Sequence, residues 1–472
     1  MKLPMEVNIF NYKVCDEDFI YDCDTGFITQ STGILNEIIK LLPTCTEKEI
    51  YSKLSNQFST EMIKDCLNQL SNLYDKGYIF DCSSKYMNKT PNYFQEEWEN
   101  GDLLVNLWLN ISHDCNLRCI YCFGNGGSYG GTRQIMTKEV SKLCVDYWFK
   151  YLNKNASEAT VTFFGGEPLM NIDVLEFSIN YINQLLKDFK INIKYLITTN
   201  GTILNNRLIR LFKENDINFT ISIDGGEVIQ NKNRPYASGK GTFNVIKENV
   251  SILRKYYDTL SARMTLTHEN ILFLKDAVID LWDIGFTDVI YEVVTIDDDR
   301  MSITNEDIEL LRPQIKELNE ITYHNMVNKS RKFFANCTRF AGFIHNVSIK
   351  NECSFQSPYT IMFTPEGNIF KCHRMMDNKD RKVGNLKNGI NWNKFSENTK
   401  KYVDETECKS CWAKRICGGG CAQENYIYTG DYSKPYKTLC NETKMLAEES
   451  LKFYSRMYLE NNSSFKRIFL KG

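Results

Sequence analysis

The 472-residue sequence lacks long apolar runs and carries little net charge. No segment approaches the roughly 20 apolar residues that a helix needs to cross a bilayer. The first residues, MKLPMEVNIFNYK, also lack the apolar region of a signal peptide. A formal charge of −2 gives no general attraction to nucleic acid or to an anionic membrane. We therefore expect a cytoplasmic protein without a nucleic-acid or membrane partner.

Cysteine, in contrast, is abundant, with seventeen residues in the chain. Because disulfides are rare in a reducing cytoplasm, this number points to metal binding. Ten of the seventeen cysteines fall into spaced motifs, whereas the five histidines form no cluster. The chain is also long enough for two or three domains with cores of their own. The spaced cysteines are therefore the candidate metal ligands.

The first cysteine motif lies in the stretch ISHDCNLRCIYCFGNGG, residues 111–127, directly after an apolar, strand-like segment. It places Cys115, Cys119 and Cys122 in a Cys-x3-Cys-x2-Cys run. Three thiolates on one loop can hold three irons of a [4Fe-4S] cube and leave the fourth iron without a protein ligand. The alternative is a structural zinc site, for which His113 is the only nearby candidate for a fourth ligand.

This spacing resembles the defining motif of the radical S-adenosylmethionine (SAM) enzymes. The resemblance implies that the methionyl amine and carboxylate of SAM chelate the open iron. It also implies that an electron from the cluster cleaves SAM and releases a 5'-deoxyadenosyl radical, a reaction that belongs to the cofactors. Tyr121 takes the place where the family usually keeps an aromatic residue beside the adenine.

Strand-like and helical patterns alternate from residue 103 to about residue 328. Six such units predict an α/β fold with a parallel sheet, and the resemblance implies a partial (β/α)6 barrel. In such barrels the active site lies at the C-terminal ends of the strands. The predicted strands span residues 103–110, 159–164, 193–199, 217–223, 261–266 and 288–294.

Polar and glycine residues occupy the ends of several predicted strands. The run Gly165-Gly166-Glu167-Pro168 resembles the site for the SAM amino group, with Glu167 as an acceptor. By the same resemblance Ser222 faces the ribose or the methionyl part, and Arg234 or Arg263 pairs with the SAM carboxylate. Further predictions are Thr199 and Asn200 against the ribose, with a plain turn as the alternative, and Glu292 as a pocket acceptor or a salt-bridged barrel residue.

A second group of cysteines lies between residues 337 and 455. Its spacing resembles the seven-cysteine signature of the SPASM domain, which implies two auxiliary [4Fe-4S] clusters. The Cys-x2-Cys and Cys-x3-Cys elements alone would also fit a pair of zinc ribbons. The fourth ligand of the first auxiliary cluster is undecided: Cys337 is one candidate, and a position left open for a substrate thiolate is the alternative. The resemblance assigns Cys353, Cys372 and Cys421 to that cluster, and Cys408, Cys411, Cys417 and Cys440 to the second.

Residues 1–85 are predicted to form a small winged-helix domain of three short strands and three helices. Residues 1–80 contain seven Lys, no Arg and twelve Asp plus Glu, so 7 minus 12 gives a charge of −5. This charge disfavours DNA binding, which requires phosphate neutralisation. The layout resembles the peptide-recognition element of peptide-modifying radical SAM enzymes, in which an extended leader pairs with the edge strand. An inert structural extension is the alternative.

The predicted organisation is a recognition domain at 1–85, a linker at 86–100, the barrel at 101–330, a SPASM domain at 331–460 and a tail at 461–472. The whole resembles the thioether-forming radical SAM maturases, the sactipeptide and ranthipeptide synthases. The stretches CNLRCIYCFGNGGSYGG and FFGGEPLMN resemble the freyrasin-type ranthipeptide enzymes most.

The resemblance implies hydrogen abstraction from a precursor peptide and a bond from a Cys sulfur to that carbon, with an auxiliary cluster taking the remaining electron. The implied cofactors are SAM and three [4Fe-4S] clusters, and the implied partners are a precursor peptide and an electron donor such as flavodoxin or ferredoxin. Carbon–carbon crosslinking, oxidation of Cys or Ser to formylglycine, and a non-enzymatic zinc-ribbon module are the alternatives. The sequence identifies no catalytic base.

Overall fold

A computed structural model describes residues 7–80, 103–296, 298–346, 353, 355, 357, 359–397, 401 and 403–470. The predicted linker at 86–100 lies outside these residues. Within them, no helix is both long enough and apolar enough to cross a membrane. The fold has the α/β class and the mainly parallel central sheet that the sequence predicts.

The N-terminal unit consists of a three-stranded antiparallel sheet and three helices. Strands β1 (Ile9–Val14), β2 (Glu17–Asp22) and β3 (Ile28–Gln30) lie in the order β1-β2-β3. Helices α1 (Gly33–Leu41), α2 (Glu47–Leu54) and α3 (Thr60–Asp75) follow. Thr46 and Glu49 form a capping box at the start of α2. Apolar side chains of the helices and of β2 form a small core of their own.

The barrel strands follow the chain order and are all parallel, so each strand lies beside its predecessor. Their bounds agree with the predicted ones to within about three residues, and Ser261–Leu266 agrees at both ends. They are β4 (Asn106–Ser112), β5 (Glu158–Gly165), β6 (Asn192–Thr199), β7 (Asn218–Ser222), β8 (Ser261–Leu266) and β9 (Asp288–Val293).

Helices cover the outer face of this sheet and continue into the C-terminal part. In the barrel they are α4 (Lys138–Lys150), α5 (Ile172–Leu186), α6 (Asn206–Glu214), α7 (Glu227–Asn233), α8 (Phe243–Leu253), α9 (Leu274–Ile284) and α10 (Asn305–Val327). Beyond it they are α11 (Ala335–His345), α12 (Trp392–Glu397), α13 (Lys414–Cys417), α14 (Ala422–Thr429), α15 (Lys437–Glu460) and α16 (Asn462–Phe469).

The cysteine-rich part extends the barrel sheet at both edges, which the sequence did not predict. Strand β10 (Phe333–Phe334) pairs in parallel with β9, and β11 (Thr360–Phe363) pairs in parallel with β4. Three antiparallel pairings then add β12 (Asn368–Phe370), β13 (Gly384–Asn385) and β14 (Gly389–Ile390). The two regions are therefore joined by backbone hydrogen bonds as well as by side chains.

The N-terminal sheet packs against the C-terminal helices. The Phe10 ring stacks on Trp412 with ring centroids 3.9 Å apart, and the Tyr12 hydroxyl is 2.8 Å from that of Ser455. Tyr12 belongs to the same continuous apolar core as β8, β9 and α15. The unit is thus docked on the cysteine-rich region as well as folded around a core of its own.

A buried ionic cluster reinforces this docking. Lys414 pairs with Asp24 of the N-terminal unit and lies 3.4 Å from Asp404. Arg415 lies 3.3 Å from the same Asp404 and donates to the backbone carbonyl of Asp24 at 3.0 Å. Two cations and two anions balance here, so removing one charge leaves a buried imbalance.

We expect Asp24→Asn to weaken the docking by about 3 kcal/mol, because the amide removes the charge that balances Lys414. Hydrogen–deuterium exchange of the amides in residues 9–22 measures the effect. Asp18→Asn is the control, since Asp18 is 54% exposed and its substitution should cost less than about 0.5 kcal/mol. Equal exchange in the two variants would contradict a role for the buried cluster.

Candidate active site

A cleft lies at the C-terminal ends of the barrel strands. It contains about 1190 Å³ of empty space, including the part that is open to solvent. The loop after β4 lines this cleft together with the residues that follow β9 and β12, and the centre of the Phe123 ring in that loop lies 5.9 Å from that of the His373 ring. Of the residues predicted from the sequence, this cleft is lined by Cys115, Cys119, Tyr121, Cys122, Gly165, Gly166, Thr199, Asn200, Ser222, Arg234, Arg263 and Glu292.

The two glycines at the end of β5 hold the cysteine loop in place. The N–H of Gly166 donates to the carbonyl of Ser112 at 2.7 Å, and the N–H of Glu167 donates to that of Asp114 at 2.9 Å. A Cβ atom on Gly166 would lie 2.3 Å from the Asp114 oxygen, and one on Gly165 would lie 2.2 Å from the Ser112 oxygen. Glycine is therefore required here for backbone packing, in addition to the approach to a ligand that the sequence predicts.

Glu167 joins the ends of β5 and β6 from a fully buried position. Its carboxylate accepts hydrogen bonds from the Leu169 N–H at 3.0 Å, the Thr199 hydroxyl at 2.8 Å and the Asn200 N–H at 2.7 Å. Burial raises its pKa to about 7. The predicted hydrogen bond from the SAM amino group to Glu167 stays a prediction. In the structure both carboxylate oxygens already accept hydrogen bonds from protein groups.

Asn200 carries this network to the cysteine loop. Its side-chain amide donates to the Asn116 side chain at 2.8 Å and lies 3.8 Å from the Cys115 sulfur. The chain of contacts therefore runs from Glu167 through Asn200 to Cys115. It fixes the first thiol relative to two strand ends.

Asp224 orients two residues that line the cleft, Tyr121 and Arg234, a role that sequence reasoning missed. One of its oxygens accepts from Arg234 Nε at 3.0 Å and from the Thr265 N–H at 2.9 Å. The other accepts from the Tyr121 hydroxyl and from the Asn233 amide. The Arg234 guanidinium also lies 5.3 Å from the centre of the Tyr121 ring.

Tyr121 and Arg234 are thus oriented by the protein, and both line the cleft. Their predicted contacts with adenine and with the SAM carboxylate stay predictions. Arg263 and Glu292 also line the cleft and lie 3.5 Å apart, so the predicted salt bridge of Glu292 is present.

The second cysteine group is drawn together only in part. Burial raises the pKa of Cys372, and the neighbouring Cys353 and Cys421 raise it further; burial likewise raises the pKa of Cys440 to about 12, with lesser effects of Cys417, Cys408 and Cys411. Among the described residues no three side chains of Cys, His, Asp or Glu are arranged to hold a metal ion, so both predicted ligand sets stay predictions. Cys337, which the sequence offers as a fourth ligand, is buried in the apolar core, and its thiol forms a hydrogen bond with the Ser450 hydroxyl.

Two residues that sequence reasoning missed, His373 and Arg374, line the same cleft as the first three cysteines. The His373 ring stacks on Trp108 with centroids 4.9 Å apart, and its Nδ1 is buried without a partner in the described residues. Burial lowers its pKa to about 3, so the ring is neutral. The available signal was their position directly after Cys372.

Comparison with known proteins agrees with this geometry. A model of the radical SAM superfamily matches residues 109–276. An uncharacterized protein of Methanocaldococcus jannaschii is 31% identical over 221 residues, which are 47% of this chain and 71% of that protein. The chain belongs to the radical SAM superfamily.

More distant relatives extend the similarity beyond the barrel. A cysteine-type anaerobic sulfatase-maturating enzyme of Clostridium perfringens is 25% identical over 381 residues, 74% of this chain and 92% of the enzyme. The solved structure of native anSMEcpe with bound AdoMet has a TM-score of 0.60 at 20% identity, over 75% of this chain and 98% of that one. This structural similarity supports the fold of the chain.

Membership of the radical SAM superfamily implies SAM and a [4Fe-4S] cluster, and the cleft fits both. All three thiols of the motif line it, together with strand-end backbone and polar groups. Burial raises the pKa of the Cys115 thiol to about 12, so this thiol is deprotonated only when a metal binds. His113, the candidate fourth zinc ligand, does not line this cleft but a neighbouring cavity, and its ring packs on Tyr129.

Above pH 7, where Glu167 is ionised, we expect Glu167→Gln to destabilise the protein by about 1–3 kcal/mol, because the amide turns an N–H donor towards the N–H of Asn200 or Leu169. It should also change the pH dependence. The folded protein keeps a proton on Glu167 up to a pKa of about 7, whereas the unfolded chain loses it near 4.5. Stability from this group is therefore present below pH 4.5 and is lost as the pH rises through 7.

Urea unfolding at several pH values measures both effects. In Glu167→Gln the fall in the free energy of unfolding between pH 4.5 and about 7 that comes from this group should disappear. The exposed Glu214→Gln is the matched control and should change neither quantity. A Glu167→Gln protein with unchanged stability and slope would contradict the role of Glu167 in joining the strand ends.

Proposed function

We propose that this radical SAM enzyme modifies a ribosomally made precursor peptide by forming thioether crosslinks between a Cys sulfur and a carbon atom. One observation carries the proposal. The cleft lined by the Cys115–Cys122 loop is also lined by His373 and Arg374, which directly follow Cys372 of the second cysteine group. Both predicted redox groups would therefore border one substrate space.

The bond changes explain why two such groups are useful. A thioether crosslink breaks one C–H and one S–H bond and forms one C–S bond, so two electrons and two protons leave the peptide. SAM and the [4Fe-4S] cluster, when bound, supply abstraction of the first hydrogen atom. The second electron needs an acceptor near the same carbon. Cys353, Cys372 and Cys421 are the residues that would hold such an acceptor.

The chain's own residues bind and orient the reactants. Asn200 and Glu167 fix the position of Cys115, while Asp224 fixes Arg234 and Tyr121. The neutral His373 stacks on Trp108 and packs against Phe164, and His373, Phe164 and Phe123 line the cleft. These rings form an apolar part of the lining beside the charged Arg374, and such a part excludes water from a reactive carbon.

The edge of β3 is the proposed site for the leader of the precursor. The carbonyl of Phe27 and the N–H of Ser31 both bond to β2. Because alternate residues of an antiparallel pair bond to the same neighbour, Ile28 and Gln30 turn their backbone groups away from β2. In the described chain no strand pairs with this outer edge. An extended peptide can add there by main-chain hydrogen bonds.

A second candidate function is oxidation of a Cys to formylglycine. It is favoured by the similarity to the sulfatase-maturating enzyme of Clostridium perfringens, 92% of which this chain covers. A solved structure of similar fold also contains AdoMet and the Kp18Cys peptide. The product separates the two candidates, because a thioether keeps the sulfur whereas formylglycine loses it.

Mass spectrometry of a precursor tests the proposal directly. The chain is co-expressed with the small peptide encoded beside its gene, and the peptide is analysed intact and after fragmentation. A thioether requires a loss of about 2 Da for each linkage, the mass of two hydrogen atoms. Thiol alkylation before and after the reaction should show the loss of one free Cys for each linkage. Loss of sulfur from the peptide would support formylglycine formation instead.

We expect joint replacement of Cys115, Cys119 and Cys122 by Ala to abolish reductive cleavage of SAM to 5'-deoxyadenosine, since no thiolate remains in the loop. Iron should fall from about twelve to about eight atoms per chain, because the other two cysteine sets are untouched. Chromatography of the nucleoside and iron analysis measure these values. Continued formation of deoxyadenosine would show that the cluster binds elsewhere.

We expect Gln30→Pro to weaken binding of the precursor by up to about tenfold, because proline removes one outward N–H and its hydrogen bond. Fluorescence anisotropy of a labelled precursor measures the affinity. Gln30→Ala is the matched control, since it loses the side-chain bond to Glu17 but keeps the N–H. Equal affinities in the two variants would exclude pairing at this edge. A point change is preferable to deleting the unit, because deletion would expose Trp412.

A further inference from the structure

Arg374 makes contact with two of the three thiols predicted for the first auxiliary cluster. Its backbone N–H donates to the Cys372 sulfur at 3.4 Å, and its side-chain Nη1 lies 3.6 Å from the Cys421 sulfur. One residue therefore directs two donors at two separate ligands. Its side chain is only 19% exposed, so water screens the charge weakly.

The guanidinium is held from both sides. Nη1 donates to Glu424 at 2.7 Å, and Nη2 donates to the hydroxyl of Thr295 just after β9. Thr295 in turn donates to the same Glu424 carboxylate at 3.1 Å. The charge is thus fixed between the end of a barrel strand and helix α14, which follows Cys421 directly.

The same side chain also borders the cleft. Arg374 lines it together with the Cys115–Cys122 loop, and its guanidinium lies 5.8 Å from the centre of the Phe123 ring in that loop. Arg374 is therefore the cation placed between the proposed substrate space and the second cysteine group. Neither the family match at 109–276 nor the cysteine spacing points to it.

We infer that Arg374 raises the reduction potential of the iron–sulfur group held by Cys353, Cys372 and Cys421, and so prepares that group to accept an electron from the cleft. The inference rests on the proposed function. The physical reason is that reduction adds a negative charge to the group. A positive charge and an N–H donor at its sulfurs stabilise the reduced form more than the oxidised form. Arg374 is a positioning and tuning residue in this account, since its contacts are with the ligands.

Redox titration followed by electron paramagnetic resonance tests the inference. The full chain with Cys115, Cys119 and Cys122 replaced by Ala is reconstituted with iron and sulfide, which leaves only the signals of the second cysteine group. Arg374→Gln should shift one of the two midpoint potentials to a more negative value and leave the other in place. Arg374→Lys keeps the charge but not the planar donor fork, so it should produce a smaller shift.

Two further variants separate a specific role from a general loss of charge. Arg263→Gln removes a cation from the same cleft, but within the described chain Arg263 pairs with Glu292 and, unlike Arg374, donates no hydrogen bond to a cysteine sulfur. It should shift the potential less than Arg374→Gln does. Glu424→Gln removes the partner of Arg374 and should shift the same potential in the opposite, positive direction.

The outcomes distinguish this inference from the proposed function. Equal shifts for Arg374→Gln and Arg263→Gln, or no shift in either, would overturn the role of Arg374 while leaving the clusters in place. A parent protein that takes up no iron in its second cysteine group would overturn both this inference and the proposed acceptor. An Arg374→Gln protein with the parent's iron content and one lowered potential supports the inference.

Discussion

The close approach of two backbone segments is the constraint on which the site depends. The end of β5 contacts the start of the cysteine loop so tightly that Gly165 and Gly166 have no room for a Cβ atom. The carboxylate of Glu167 then connects the same point to the end of β6. The loop therefore has one position relative to the strand ends, as a cluster with one open iron and a bound SAM would require.

The cysteine-rich region completes the cleft rather than lying apart from it. Strands β10 and β11 extend the barrel sheet at its two edges. His373 and Arg374 line the cleft together with residues of the barrel. The N-terminal sheet packs against helix α15 and near Trp412, within the same continuous core. Packed side chains and one buried ionic cluster therefore connect the N-terminal sheet, which contains the proposed leader-binding edge, to the region of the second cysteine group.

The sequence predicted what depends on local patterns. Strand β8 has the predicted bounds, since its residues alternate regularly between buried and more exposed positions. Strands β11 and β13 were not predicted, because two to four residues carry no period and their partners lie far away in the chain. The same limit applies to Asp224 and Arg374, whose roles come from contacts with residues far away in the chain, Tyr121 and Cys421 respectively. Glu167 was found from its motif, but its bonds to the protein were not.

Cys115, Cys119 and Cys122 are expected to hold a [4Fe-4S] cluster with one iron to which SAM binds. Low-temperature electron paramagnetic resonance of the anaerobically reconstituted and reduced protein, with and without SAM, measures this binding. We expect a cluster signal that SAM perturbs and that disappears when the three cysteines are replaced. A signal that SAM leaves unchanged, or zinc in place of iron, would rule out a SAM-binding cluster at these cysteines.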